Sequence, residues 1–321
     1  MAEIASQVDN KSVSGNTGET PRTLKLLHPA SDTPTVLEET NFEYIQAYPI
    51  VAIHGLDGDS TKTWTNPGGE YMWIRDALKE EYPRARIFAF EYDVGCVFFK
   101  DDFGRVGEVA SAFLNLLRGE LEKNSNMTIN TKRPIVFICH CLGGIILKAA
   151  LIKASDRRGD FGEILELPKG AVFMGTPYTD RVGLGELLKY PVPETVVRSK
   201  DHGLLMSHSQ NLLELCKRFV QHAAEFKQIV TIYEELPHPS TGSVIVDDRS
   251  ATMQLTNENA FSLKADHSSI CKFESAENPN FKQVTTELRR MIRKTLGVKA
   301  DRVDSSTTGG NHAALVDKDA L

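Results

Sequence analysis

Apolar residues along the chain fall into short runs with two rhythms. Compact runs at Thr23–Leu27, Ile50–Ile53, Arg86–Tyr92, Ile135–Ile138, Ala171–Met174, Ile229–Tyr233 and Val244–Val246 predict strands. Several are continuous rather than alternating, as strands buried on both faces are. Between them the spacing turns helical. Trp73–Glu81, Gly107–Glu122, Gly143–Ala154, Asn211–Phe226 and Phe281–Leu296 place apolar residues on one side, for example Val109, Phe113, Leu116 and Leu117. Strands alternating with helices predict an α/β protein with a mostly parallel sheet and helices on both faces. In such sheets the chemistry collects at the carboxyl ends of the strands.

Residues 135–152 (IVFICHCLGGIILKAALI) are apolar enough to suggest a membrane span. His140 and Lys148 interrupt them, and Gly143-Gly144 divides a β-like half from a helical half. A buried strand running into a buried helix is the better reading. Residues 1–22 and 298–321 are polar and predicted to be disordered, which leaves 23–297 as one α/β domain.

Composition removes several function classes. With 37 Lys and Arg against 43 Asp and Glu, the formal net charge is −6. That gives no electrostatic case for nucleic acid. Five cysteines without a CxxC pair point neither to a disulfide scaffold nor to structural zinc. The opening MAEIASQVDNKSVSG has no basic n-region and no apolar h-region, so the expectation is an intracellular, cytoplasmic chain that is not secreted.

The chemistry centres on Phe137-Ile138-Cys139-His140-Cys141-Leu142-Gly143-Gly144. A strand, a sharp turn and a helix in this order are the setting of a nucleophile elbow, G-x-S-x-G. The elbow needs small residues two before and two after the nucleophile. Cys139 and Gly143 meet that need, and Cys141 takes the nucleophile's place. A free thiol is only a few per cent ionised at pH 7. A helix N-terminus favours negative charge, as does a nearby imidazolium.

The strand at Ile50–Ile53 runs into His54-Gly55-Leu56, where backbone can approach a substrate oxygen. The N–H groups of Leu56 and Leu142 are the expected oxyanion donors. His54 reads as a structural imidazole that holds the loop, and His140 as packing. His267, after the last strand and before the closing helix, is the expected base. For the acid, Glu234 at the end of Ile229–Glu235 leads, with Asp247 as the alternative. Residues 180–210 are a candidate cap over the site.

These blocks together carry a resemblance. VAIHGLDGDSTKTWT (51–65), WIRDAL (73–78), ARIFAFEYD (85–93), RPIVFICHCLGGIILKAAL (133–151), AVFMGTP (171–177), TIYEELP (231–237), VDDRSA (246–251) and LKADHSSICKF (263–273) occur in a fixed order. The chain resembles the lipase-like serine-esterase branch of the α/β hydrolases. That branch includes the mitochondrial serine-active-site-containing protein and the hydrolase domains of fungal NACHT-type proteins. The resemblance implies an α/β-hydrolase fold, with no metal or organic cofactor and a small-molecule or lipid-like acyl ester as substrate. It carries nucleophile, base and acid onto Cys141, His267 and Glu234. The chain departs from the branch's G-H-S-L-G-G pattern, since Cys stands for both the first Gly and the Ser. It also has Tyr178-Thr179-Asp180 where the branch tends to have a His and a basic residue.

Two functions follow. One is an esterase, lipase-like or thioesterase activity through a Cys-His-acid triad and a thioester intermediate, which can also pass its acyl group to another acceptor or cyclise it. The other is an inactive pseudohydrolase serving as a binding or signalling module.

Overall fold

A computed structural model describes residues 22–28, 48–56, 58–83, 85–94, 104–123, 134–178 and 202–296. The expected disordered ends, apart from Arg22, and most of the candidate cap lie outside these residues.

The strands are β1 (Thr23–His28), β2 (Tyr48–Ile53), β3 (Ala85–Glu91), β4 (Ile135–His140), β5 (Pro168–Met174), β6 (Gln228–Glu234) and β7 (Glu258–Leu263). The helices are α1 (Trp73–Glu81), α2 (Gly104–Glu122), α3 (Leu142–Asp156), α4 (Arg158–Leu165), α5 (His202–Ala223), the short α6 (Asp248–Ala251) and α7 (Pro279–Leu296). Among the described residues the strands form one 7-stranded sheet in the order β1-β3-β2-β4-β5-β6-β7. β1 is antiparallel to β3, and every other pair is parallel. This strand order, with helices on both faces, is the α/β-hydrolase fold that the sequence led us to expect.

The continuous apolar runs have the predicted cause. Along β2, β4 and the middle of β3 every residue is buried, and the two side-chain rows feed separate cores. Val51, Ile53, Phe88, Phe90 and Phe137 face a cluster with α2, α3, α4 and α5. Ile50, Ala52, Ile87, Val136 and Ile138 face another with Trp64, α1 and α7. Each large side chain so enclosed contributes about 1.5–3 kcal/mol. α3 is buried nearly all round, from Leu142 to Ile152, which explains why 135–152 is so apolar. Among the described residues no helix is long and apolar enough to cross a membrane.

One expected strand is corrected. Val244–Val246 is not a strand, and the last strand among the described residues is Glu258–Leu263. The N–H groups of Ile245 and Val246 go to the Glu234 carboxylate at 2.9 and 3.3 Å instead of to a ladder. β7 escaped the sequence reading because ENAFSL is an edge strand, only Leu263 of which is fully buried.

Candidate active site

The site is assembled where β2, β4, β5, β6 and β7 end. β4 stops at His140, and Cys141 turns the chain into α3 with φ 52° and ψ −119°. Few non-glycine residues sit at positive φ, and holding one there costs on the order of 1–3 kcal/mol. Neighbouring loops hold it in place. The Cys141 N–H donates to the Met174 carbonyl at 2.9 Å. The Thr176 hydroxyl donates to the Cys141 carbonyl at 3.2 Å.

Close approach also explains the glycines. A Cβ on Gly143 would fall 2.2 Å from the Ile53 carbonyl oxygen and 2.6 Å from that of His54. A Cβ on Gly55 would fall 2.7 Å from the Cys141 Cβ. The β2 loop and the start of α3 are therefore pressed together at backbone distance. Leu56 and Leu142, both buried, flank this seam. Leu142 opens α3, so its N–H has no partner within the helix.

Glu234 ends β6, the strand expected to carry it, and His267 follows β7, a strand the sequence reading lacked. The structure brings them together: the Glu234 Oε1 accepts a hydrogen bond from the His267 Nδ1. The other carboxylate oxygen takes the Ile245 and Val246 N–H groups, so the acid is held on both sides. Gly175, at φ 53°, lets the chain pass the pair; a Cβ there would lie 3.1 Å from the His267 ring and 3.2 Å from the Glu234 Oε1. Asp247 is placed elsewhere. Its carboxylate accepts the Ser250 N–H at 2.8 Å and caps α6.

Cys141 and His267 are 1% and 0% exposed. Burial opposes charge on the His267 ring. The neighbouring Cys141 sulfur, by charge and hydrogen bonding, and then Glu234 outweigh it and hold the imidazole well above its usual range. Buried Cys139 has its thiol pushed up by desolvation, which a nearby Lys148 only partly offsets. The two cysteines of the motif therefore sit in opposite surroundings: one faces an imidazole, the other faces core.

His54 holds its loop through a network. Its Nε2 accepts from the Tyr92 N–H at 3.4 Å, which leaves Nδ1–H to donate to the Gly55 carbonyl at 3.0 Å. The Tyr92 hydroxyl donates to the His54 carbonyl at 2.7 Å, and the two rings stack at 4.1 Å. His140 does more than pack, since its Nε2 donates to the His267 carbonyl at 2.9 Å. Sequence reasoning missed this contact, along with Gly175, Thr176 and the two N–H donors on the acid. Only the block around 171–177 hinted at Gly175 and Thr176.

Sheet order, strained elbow and histidine–carboxylate pair define the α/β-hydrolase class of fold. No protein-family model matches the chain. Among curated proteins it is similar to Protein SERAC1 of Homo sapiens, 24% identical over 283 residues, which cover 79% of this chain and 41% of the relative. It is also similar to Protein SERAC1 of Danio rerio, 22% identical over 258 residues, covering 73% and 37%. The chain thus spans well under half the length of the curated relatives it matches. Among solved structures, the mature lipase BlEst2 of Bacillus licheniformis aligns over 78% of this chain and 95% of its own, at 14% identity and a TM-score of 0.48. An esterase of Pyrobaculum calidifontis aligns over 79% and 78%, at 14% identity and a TM-score of 0.43.

Proposed function

We propose that this chain is an acyl hydrolase for ester or thioester substrates, with Cys141 as nucleophile, His267 as general acid–base and Glu234 as the group that orients it. One observation carries the reading: Cys141 occupies the strained turn between β4 and α3 with the His267–Glu234 pair directly against it. A cysteine that merely filled the core would gain nothing from positive φ, whereas a nucleophile gains exposure to its base and to a helix N-terminus.

The His267 Nε2 takes the thiol proton as the Cys141 sulfur attacks the acyl carbon, and the carbonyl electron pair moves onto oxygen. That oxyanion is received by the N–H groups of Leu56 and Leu142. Collapse expels the alcohol or thiol, which takes a proton from the His267 Nε2, and leaves a thioester on Cys141. His267 then takes a proton from the attacking water, and the acid product leaves with the thiol restored. Another acceptor in place of water gives acyl transfer or cyclisation by the same steps. Glu234 stabilises the imidazolium and fixes the ring through Nδ1. The lipase and esterase among the fold neighbours have ester chemistry in keeping with this reading.

The test is a panel of p-nitrophenyl esters and acyl thioesters, with mass spectrometry of the quenched enzyme. We expect an acyl adduct on Cys141 and hydrolysis reduced at least about a thousandfold in Cys141→Ala. Turnover that survives Cys141→Ala overturns the assignment. No turnover and no adduct across the panel would favour the binding-module reading, to which the deep burial of Cys141 and His267 also lends support.

A further inference from the structure

His140 sits beside the candidate nucleophile but contacts the candidate base. Its Nε2 lies 2.9 Å from the main-chain oxygen of His267, across 127 positions of sequence. A carbonyl only accepts, so the Nε2 carries the proton, and the Nδ1 lies on the other side of the ring. That Nδ1 faces the Gly55 loop, where an added Cβ would lie 2.8 Å away. The His140 and His267 rings are 5.1 Å apart at 44°. His140 is buried, with 1% of its surface exposed.

The consequence is geometric. Cys141 and His267 lie on different loops, and Glu234 fixes only the far side of the imidazole. The distance between the sulfur and the His267 Nε2 depends on how the loop after β7 is held to the elbow. The His140 contact supplies such a hold, one peptide from Cys141 and on the main chain of His267 itself. The base is then gripped twice, at Nδ1 by Glu234 and at its carbonyl by His140.

We propose that His140 is a positioning residue: its Nε2–H tethers the main chain of His267 to the elbow and sets the alignment of base and nucleophile. This rests on the Cys141–His267 reading above. A misplacement of about 1 Å between reacting groups costs up to about a hundredfold in rate, so loss of the tether has a measurable effect.

The experiment follows alkylation of Cys141 by iodoacetamide in the full chain from pH 5 to 9, by peptide mass spectrometry, and needs no substrate. Circular dichroism accompanies each variant. His267→Ala tests the parent reading: if it leaves the Cys141 rate and profile unchanged, that reading fails, and this one with it. Given an effect there, His140→Leu, which keeps bulk but no donor, is expected to slow alkylation at pH 7 about tenfold or more and to move the pH profile toward that of His267→Ala. His140→Gln, whose amide nitrogen reaches the Nε2 position, is expected to recover the rate to within about threefold. His140→Asn is too short to reach and is expected to behave as His140→Leu. Should the Leu variant not fold, the Gln and Asn pair decides alone. If Gln shows no advantage over Leu or Asn while His267→Ala has its effect, the tether is overturned and His140 is only packing.

Discussion

Cys141 stands in a conformation that glycine adopts at no steric cost and that any Cβ makes strained. Comparing two thiol-free variants isolates that strain. In most settings Ala is more stable than Gly by about 0.5–1 kcal/mol. Here Cys141→Gly is expected to unfold at higher urea than Cys141→Ala, by about 1 kcal/mol. At Gly143 the opposite holds. A methyl group 2.2 Å from the Ile53 carbonyl forces the seam apart, so Gly143→Ala is expected to cost about 3 kcal/mol in the same titration. The elbow was legible in the sequence because its demand for small residues is local. The company of His140 was not, since its acceptor lies on a loop that only the folded sheet brings near.

Among the elements, the stretch after β6 shows where local pattern misleads. Val244, Ile245 and Val246 have strand composition, but the N–H groups of Ile245 and Val246 are claimed by the Glu234 carboxylate. β7 has weaker composition, yet pairs with β6 along its whole length. Glu234 and Asp247 both follow apolar runs, and only the tertiary structure tells a carboxylate on His267 from one capping a helix. Asp247→Ala is therefore expected to lower stability by about 1 kcal/mol and to leave the Cys141 alkylation rate unchanged. Glu91 offers a pH test. Burial opposes its charge, but the Ser60 hydroxyl and N–H and then Lys25 hold its carboxyl below the usual range. A lowered folded-state value adds stability above the unfolded carboxyl range, and that gain is lost as pH falls through the folded value. Urea midpoints of the wild type are thus expected to drop more steeply below about pH 4 than those of Glu91→Gln.

For the whole molecule, the two cores press on the sheet from opposite sides, most heavily at β2, β4 and β5. Hydrogen exchange is expected to be slowest in β4 and α3 and fastest at the edges β1 and β7, as resolved by peptide mass spectrometry. The layered α/β plan was legible because burial on both faces writes itself into continuous apolar runs. The sheet's order and outermost strand depend on pairing between distant segments and left a weaker trace. The acid's N–H partners have one more implication, for engineering. By anchoring Ile245 and Val246 to Glu234, and with the His238 N–H bonded to the Ser243 carbonyl at 2.9 Å, the chain fastens the neck of the loop between them. Beyond a fastened neck, added length strains little, because each doubling of a loop costs only about 0.6 kcal/mol. A short peptide tag inserted after Thr241 would give a labelling handle close to the site that leaves its alignment intact.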